Sequence, residues 1–600
     1  MTAPSPQQVA GALATFTITA NGSAIDSSWQ VVSVDVWTGV NKLPKARLVL
    51  YDGSAAAEDF PIADSTALIP GATLSITLGY DGQETRVFSG VVYRQGLEVT
   101  MNGPSRLVVE ATDLAMKMTL ARRNAIYENV TDSQLISSLI SNAGLTPAVT
   151  ATTTTQESLV QYYCSDWDLM VVRAQLNGMV VIADGDTVTV APPDTSQSPS
   201  LTVTFGDSLM DFDGTMDAAT QYTPSAIQSF AWDPATQALA KSGQASASVS
   251  EPGNISSDQL AKVFNITQFP QQTGGTLPTA DLTTWSSADL LKSKLAKLRG
   301  TATFLGSTLA KTGGVVTMAG LGGRFNGDYY VSDVHHAVTD GLWRTTLGLG
   351  LSPDWFTAVT PDIPAPGASG QLPPVSNLQT GLVQKVAQDP DGEFRVYVQL
   401  PLLQAGGSLG VWARLGSFYA YNAIGAVFYP EVGEEVVVAF MNDDPRFPVI
   451  VGSLYSKKNP PPITPDAENN QKTIVTRSKL RIDFFEDKKA VEISTPGGQK
   501  VRLDDDAKTV TVADLNGNTI TMAAAGVTVD SAAKLTLNAK GDIAISAQGN
   551  LSLKSNATVS VEGLQIKQSA SSTFSAQGSG EAKLVSSGML TIQGSLVKIN

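Results

Sequence analysis

One cysteine and two histidines are the whole supply of thiol and imidazole metal ligands in 600 residues. Cys164 has no second cysteine to pair with, so the fold does not rely on an internal disulfide or an oxidising compartment. His335 and His336 are neighbours on an expected strand, where they face opposite sides and cannot chelate one ion together. Charge is also scarce, at 16% of residues, and its balance is acidic, with a net charge of −15. Such a chain repels phosphate, which excludes nucleic acid as a main ligand. No apolar run is long enough to span a bilayer. The first Lys or Arg is Lys42, so the basic region of a secretory signal is not expected. Gly, Thr, Ser, Ala and Val fill the chain instead, a composition suited to strands and turns.

The most regular feature is a repeat of eight near the C-terminus. Val527, Leu535, Ile543, Leu551 and Val559 stand eight apart, each followed two places later by Val529, Leu537, Ile545, Leu553 or Val561. Residues i and i+2 share one face of a strand. The gaps hold turn formers such as Gly541 and Gly549. Each octad therefore reads as one short strand with two inward residues, then a corner, and stacked octads build a rigid rod. Earlier pairs, from Val491/Ile493 through Val501/Leu503, Val510/Val512 and Ile520/Met522, are spaced by nine or ten. The rhythm slips at Leu564/Ile566 and continues through Leu590/Ile592 and Val597/Ile599. Three strands close a triangular section, supplied by successive octads of one chain or by one octad from each of three chains. Every corner from Val527 to Val561 has the same length, as threefold symmetry of identical chains requires, so a homotrimer is expected. About fourteen levels at ~4.8 Å would give a needle of roughly 65 Å.

Upstream, the fold class is mainly β. Residues 1–365 read as a β-rich hub with a few helices, over Val130–Ala143, Asp166–Asn177 and Asp289–Leu298. Asp184-Gly185-Asp186 marks a hairpin. The Pro/Gly-rich stretch Pro361–Pro374 is a boundary, and residues 366–456 hold five strand signals, which suits a small barrel of the OB type. A second linker with Pro460-Pro461-Pro462 opens the needle segment, residues 457–600.

Several stretches carry a family likeness. Ser165-Asp166-Trp167-Asp168 leads to Gln175-Leu176-Asn177-Gly178. Phe428-Tyr429-Pro430 runs into Gly433-Glu434-Glu435-Val436, and Asp443-Asp444-Pro445-Arg446-Phe447-Pro448 into Gly452-Ser453-Leu454-Tyr455; Ser478 to Asp483 opens the needle. In this order they resemble VgrG-type spike proteins of type VI secretion and extracellular contractile injection systems, and the hub and needle proteins of contractile phage tails. The resemblance implies a β-barrel hub with two barrel-like modules per chain, an OB-fold barrel and an intertwined triple-stranded β-helix. It also implies docking on a hexameric inner tube or tube adaptor, contact with baseplate components, a PAAR-like tip protein and transient contact with a target membrane. The short stretch between Tyr455 and Thr473 leaves no room for the lysozyme domain of some phage needles. The repeat runs to Asn600, so the tip protein is expected on Leu590, Ile592, Val597 and Ile599. Assembly in a bacterial cytoplasm and export in the particle follow from the same likeness.

No catalytic, cofactor or metal site is expected. Gly406-Gly407-Ser408-Leu409-Gly410 matches G-x-S-x-G, but a strand follows it where a nucleophile elbow needs a helix. Gly320-Leu321-Gly322-Gly323 has no evident helix after it, against a phosphate loop. Asp504-Asp505-Asp506 reads as a solvated corner, since three consecutive carboxylates cannot converge on calcium. Cys164 reads as a small buried hydrophobe. The expectation is a mechanical spike that is not an enzyme. The rivals are a phage-tail spike with cell-wall hydrolysis and a carbohydrate-binding fibre, for which Trp412, Phe418, Tyr419 and Tyr421 are the candidate residues.

Overall fold

The computed structural model describes residues 3–6, 13–101, 103–402 and 409–599. The chain divides into two compact units, Met1–Leu454 and Tyr455–Asn600.

A 13-stranded sheet organises the first unit. Its path begins Leu209–Met216, Leu298–Leu305, Leu342–Leu349 and Gly327–Thr339. It continues through Val31–Gly39, Lys45–Tyr51, Arg106–Thr112, Gln83–Glu98, Thr73–Tyr80 and Ala14–Ala20. The sheet serves two separate cores. One gathers Ile18, Val36, Leu48, Ile76 and Val109; the other gathers Val203, Phe304, Met318, Val331 and Leu347. Alternation in the sequence produces this. In Thr73–Tyr80 the inward Leu74, Ile76 and Leu78 are buried, while Thr73, Ser75 and Thr77 face outward. The two lobes meet along the antiparallel pairing of Val31–Gly39 with Gly327–Thr339, which sets Trp37 opposite His335 and Val36 opposite His336.

Gly306 lies against the indole of Trp343, and a Cβ there would stand 1.8 Å from the ring. Both are buried, so the ring has little freedom to yield. Gly306→Ala is expected to cost about 1–3 kcal/mol of hub stability. Gly96→Ala, whose Cβ meets nothing within 4 Å, should be nearly neutral. Urea midpoints of the two variants check this.

A helical layer packs on a third core. Helices Asp132–Asn142 and Asp166–Leu176 bury Leu135, Ile136, Leu139, Trp167, Met170 and Ala174. Thr131 caps the first with a reciprocal bond from Gln134, a capping box. Both helices keep the expected positions to within two residues. The hairpin Val180–Asp184 to Thr187–Ala191 turns at Gly185, which has φ +70°. The third helix departs from expectation: it runs Thr279–Leu295, and Leu298 already starts a strand. Its first two turns are rich in Thr and Ser and carry no clear apolar stripe, so packing of Leu282, Ser286 and Leu290 decides where propensity is silent. Helix Ser257–Phe264 was not anticipated, although Ser256 and Gln259 form a capping box there.

The last part of this unit is a closed five-stranded barrel, ordered Gln379–Lys385, Val396–Gln399, Val411–Leu415, Pro448–Ser453 and Glu435–Phe440. Val383, Val396, Val398, Ala413, Val436, Val438 and Ile450 fill it. The linker before it is tied at both ends. Arg122 donates to the carbonyls of Asp362, Ile363 and Pro364, and Arg446 donates to Gln371.

The second unit opens as a seven-stranded antiparallel meander: Gln471–Val475, Arg481–Phe485, Ala490–Ser494, Lys500–Asp504, Thr509–Ala513, Thr519–Ala523 and Gly526–Asp530. This corrects one expectation. Strands between Val491 and Val529 take hydrogen-bond partners from their own chain, so the stack of one strand per level does not begin at Val491. The steps of nine or ten hold the earlier hairpin turns, and the shorter step from Ile520 to Val527 holds a tight one at Ala524-Ala525.

Candidate functional site

The register of the meander aligns its apolar pairs into two columns on one face. Ile482, Ile493, Val501, Val512, Ile520 and Val529 are cross-strand neighbours in one column. Phe484, Val491, Leu503, Val510, Met522 and Val527 form the other. This face is open to solvent: Ile493, Leu503 and Val529 are each about half exposed, at 51%, 51% and 52%. The opposite face is polar and internally paired. Arg481 grips Asp483 at 2.7 Å, and Arg502 bridges Glu492 at 3.1 Å and Asp504 at 2.7 Å. These arginines hold the Asp483 and Asp504 carboxyls below the usual carboxylate range, together with the Ala507 N–H, which contributes most at Asp504. Asp504 is thus a buried, bonded group, not the solvated corner expected; Asp505 and Asp506 are exposed. The sequence signal for this network is Arg-x-Asp at 481/483 and 502/504, out of phase with the apolar pairs.

Beyond the meander the backbone's few partners are side chains, as where Ser555 accepts the Ala557 N–H and Ser586 the Gly588 N–H. Among the described residues, 533–599 make no backbone–backbone hydrogen bond. Leu535, Leu537, Ile543, Ile545, Leu551, Leu553, Val559 and Val561 are all exposed, as are Leu590, Ile592, Val597 and Ile599. Some 67 successive residues hold an extended course with their apolar pairs open to solvent. A single chain gives neither the hydrogen bonds nor the burial that would fix such a course.

A second exposed apolar feature projects from the barrel. The hairpin Ala420–Tyr421 with Ile424–Gly425 lies off the barrel path and exposes Phe418, Tyr419, Tyr421 and Phe428. Trp412 sits apart from them, on a barrel strand, with its ring 5.1 Å from that of Tyr397.

The remaining motif residues serve the fold. Ser165 caps its helix through the Asp168 N–H. Buried Asp166 accepts from Gln161 at 2.8 Å, and Gln175 accepts the Phe356 N–H at 2.7 Å. Asn177 and Arg173 converge on Asp132, tying the two helices together. His335 stacks on Trp37 and bonds Asp35 at 3.0 Å, while His336 is buried against Thr345, so the two do face opposite sides. Cys164 is buried after a bulge at Tyr163, and burial pushes its thiol up. Gly320–Gly323 is followed by one helical turn, Gly322–Phe325, where no helix was expected. Ser408 lies outside the described residues.

Two families match the sequence. The one described as the Alg8 N-terminal domain covers residues 10–340, and the type VI secretion system/phage-baseplate injector OB domain covers 379–455. The actin cross-linking toxin VgrG1 of Vibrio cholerae is 38% identical over 64 residues, 11% of this chain and 6% of that protein. The type VI spike proteins VgrG1c and VgrG5 of Pseudomonas aeruginosa are 26% identical over 164 residues and 33% over 119. These alignments cover 26% and 19% of this chain and 22% and 14% of the relatives, so the chain spans under a quarter of the length of each of these three. Among solved structures, a prophage MuSo2 tail protein from Shewanella oneidensis aligns at TM-score 0.42 and 11% identity, over 57% of this chain and 98% of its own. A chain of the Francisella PdpA–VgrG complex aligns at TM-score 0.37 and 8% identity, over 87% and 80%.

Proposed function

The chain belongs to the VgrG-type spikes of contractile injection systems, its N-terminal half to the Alg8 N-terminal domain family, and from that premise we propose that three copies join as a load-bearing needle. The observation that carries this is the second unit. It has an apolar sheet face without cover and then a long extended course without backbone partners. Three identical chains supply both deficits at once: three meander faces close on an axis, and each strand of the octad region pairs with two neighbours. Interwound strands spread axial force over many hydrogen bonds per level, which suits a rod that must not buckle.

The finer roles follow as part of the same reading. The hub docks on a hexameric inner tube, the needle carries a PAAR-like tip on its Leu590–Ile599 segment, and contraction of a sheath drives it through a target envelope. The action is mechanical and not enzymatic, within a particle assembled in a bacterial cytoplasm and exported. Turnover of peptidoglycan by the purified chain would favour a hydrolytic phage-type spike instead. The exposed aromatics of the barrel hairpin support a carbohydrate-binding alternative, which glycan-array binding lost in Tyr421→Ala would establish.

Light scattering on the full chain is the direct test. A mass of about three times 62.9 kDa is expected. A monomer retaining its β-signal in circular dichroism would overturn the proposal.

A further inference from the structure

One cleft of the hub has walls and charge that the spike role does not use. It is about 320 Å³ and lies between the end of helix Thr279–Leu295, strand Phe269–Thr273 and the segment 353–358, which enters the helical turn Phe356–Val359. Tyr222 and Phe269 form one aromatic wall, their ring centroids 4.5 Å apart. The Trp355 indole also lines the cleft, and its Nε1–H donates to Asp289 Oδ1 at 3.1 Å. That is the one hydrogen bond to the Asp289 carboxylate among the described residues, and no cation stands within 4.0 Å of it. Burial raises its carboxyl above the usual range, as expected for a desolvated acid with too few partners.

Lys292 attracts the Asp289 carboxylate but does not reach ion-pair distance of it. Its Nζ donates to the Asp354 carbonyl at 2.7 Å and sits 5.3 Å from the Trp355 ring centroid. It lines the adjacent cleft instead of this one. With Asp289 and Asp354 lining the cleft and one lysine behind it, the local sum is −1. An under-bonded carboxylate among three aromatic rings attracts a positively charged organic group. The acid supplies the charge-assisted hydrogen bond and the ring faces supply cation–π attraction. A neutral or anionic ligand would leave the carboxylate unanswered or oppose it.

We infer that the Asp289–Trp355 cleft is a socket for an organic cation, a guanidinium or ammonium group. The cation comes either on the side chain of a docking protein or as a free small molecule. The binding test reads on the full chain whatever its assembly, so its outcome is separate from that of the trimer reading.

Calorimetric titration of the full chain tests it with three probes: N-acetylarginine amide, its neutral isostere N-acetylcitrulline amide, and tetramethylammonium. Arginine amide is expected to bind at least tenfold tighter than citrulline amide. Asp289→Asn, which keeps an acceptor for the indole, should weaken arginine amide at least tenfold. Tyr222→Leu should weaken tetramethylammonium severalfold, and near-ultraviolet circular dichroism verifies the fold of both variants. Preference for arginine amide over tetramethylammonium assigns the socket to a side chain, and the reverse preference assigns it to a free quaternary cation. Equal binding of the arginine and citrulline probes, undiminished binding in Asp289→Asn, or no binding of either cation overturns the proposal.

Discussion

Leu537→Asp is expected to abolish the trimer, while Asn538→Asp leaves it intact. The contrast is sharp because the isolated chain predicts none. Leu537 and Asn538 are both exposed in a single copy, and an aspartate at either position would cost a monomer almost nothing. Assembly separates them. Leu537 belongs to an inward pair with Leu535, so three copies of the variant would place three carboxylates together in an apolar channel. Leaving even one such charge buried and unpaired costs several kcal/mol, roughly 3–5 by analogy with broken buried pairs. Three close together also repel, or must take up protons to persist. Asn538 points the other way along the strand and keeps its water. Light scattering on the two variants reads the result directly. Equal tolerance of both changes would refute the register, and with it the inward assignment of Val527, Val529 and the pairs up to Val561.

The needle was the most legible part of the chain and the least complete in its structure, for one reason. A repeat of apolar pairs is a local code, so Leu535/Leu537 and Ile543/Ile545 announce a strand face without knowledge of the partner. The partner itself is nonlocal. Spacing alone does not separate the meander from the octads, because Ile520/Met522 and Val527/Val529 share a hairpin at a shorter step than the octads have, and the octad gaps hold turn formers too. The barrel strands were legible for the same local reason, and their alternation around Val396, Val398, Val436 and Val438 matched the fold closely. What could not be read was tertiary. Helix Thr279–Leu295 draws on contacts that its Thr- and Ser-rich start does not advertise. The burial of Asp504 depends on Arg502, and the Asp289 cleft joins Tyr222, Phe269 and Trp355 across more than 130 positions of sequence. No periodicity links such residues.

Asp113→Asn is expected to make the hub acid-sensitive, and His336→Gln to make it less so. Both native residues line one cavity of about 140 Å³, where the two lobes meet the helical layer. His336 is buried against Thr345 and Trp343, and desolvation pulls its imidazole down to about 3. The unfolded chain therefore takes up a proton below about 6.5 that the folded chain refuses, and stability is lost as pH falls through that window. Asp113 works in the opposite sense. Its carboxyl accepts the Ala115 and Gly185 N–H groups at 2.8 and 2.7 Å, yet burial, with Asp184 and Asp186 nearby, pushes it up to about 6. The folded chain then takes up a proton between about 6 and 3.8 that the unfolded chain does not, and stability is gained as pH falls through that window. From pH 7 to pH 4 the His336 loss amounts to about 3 kcal/mol and the Asp113 gain to about 2, with opposite signs, at about 1.4 kcal/mol per pH unit. The cavity is thus partly balanced in the native hub. Asp113→Asn removes the gain and exposes the loss, so its stability relative to the native chain should fall by about 2 kcal/mol between pH 7 and pH 4. His336→Gln removes the loss, and its relative stability should rise over the same range. Urea unfolding of the three proteins at pH 7, 5.5 and 4 measures the differences, with all other titrations cancelling. Parallel pH profiles for the three would show that neither group's protonation is shifted by the folded cavity.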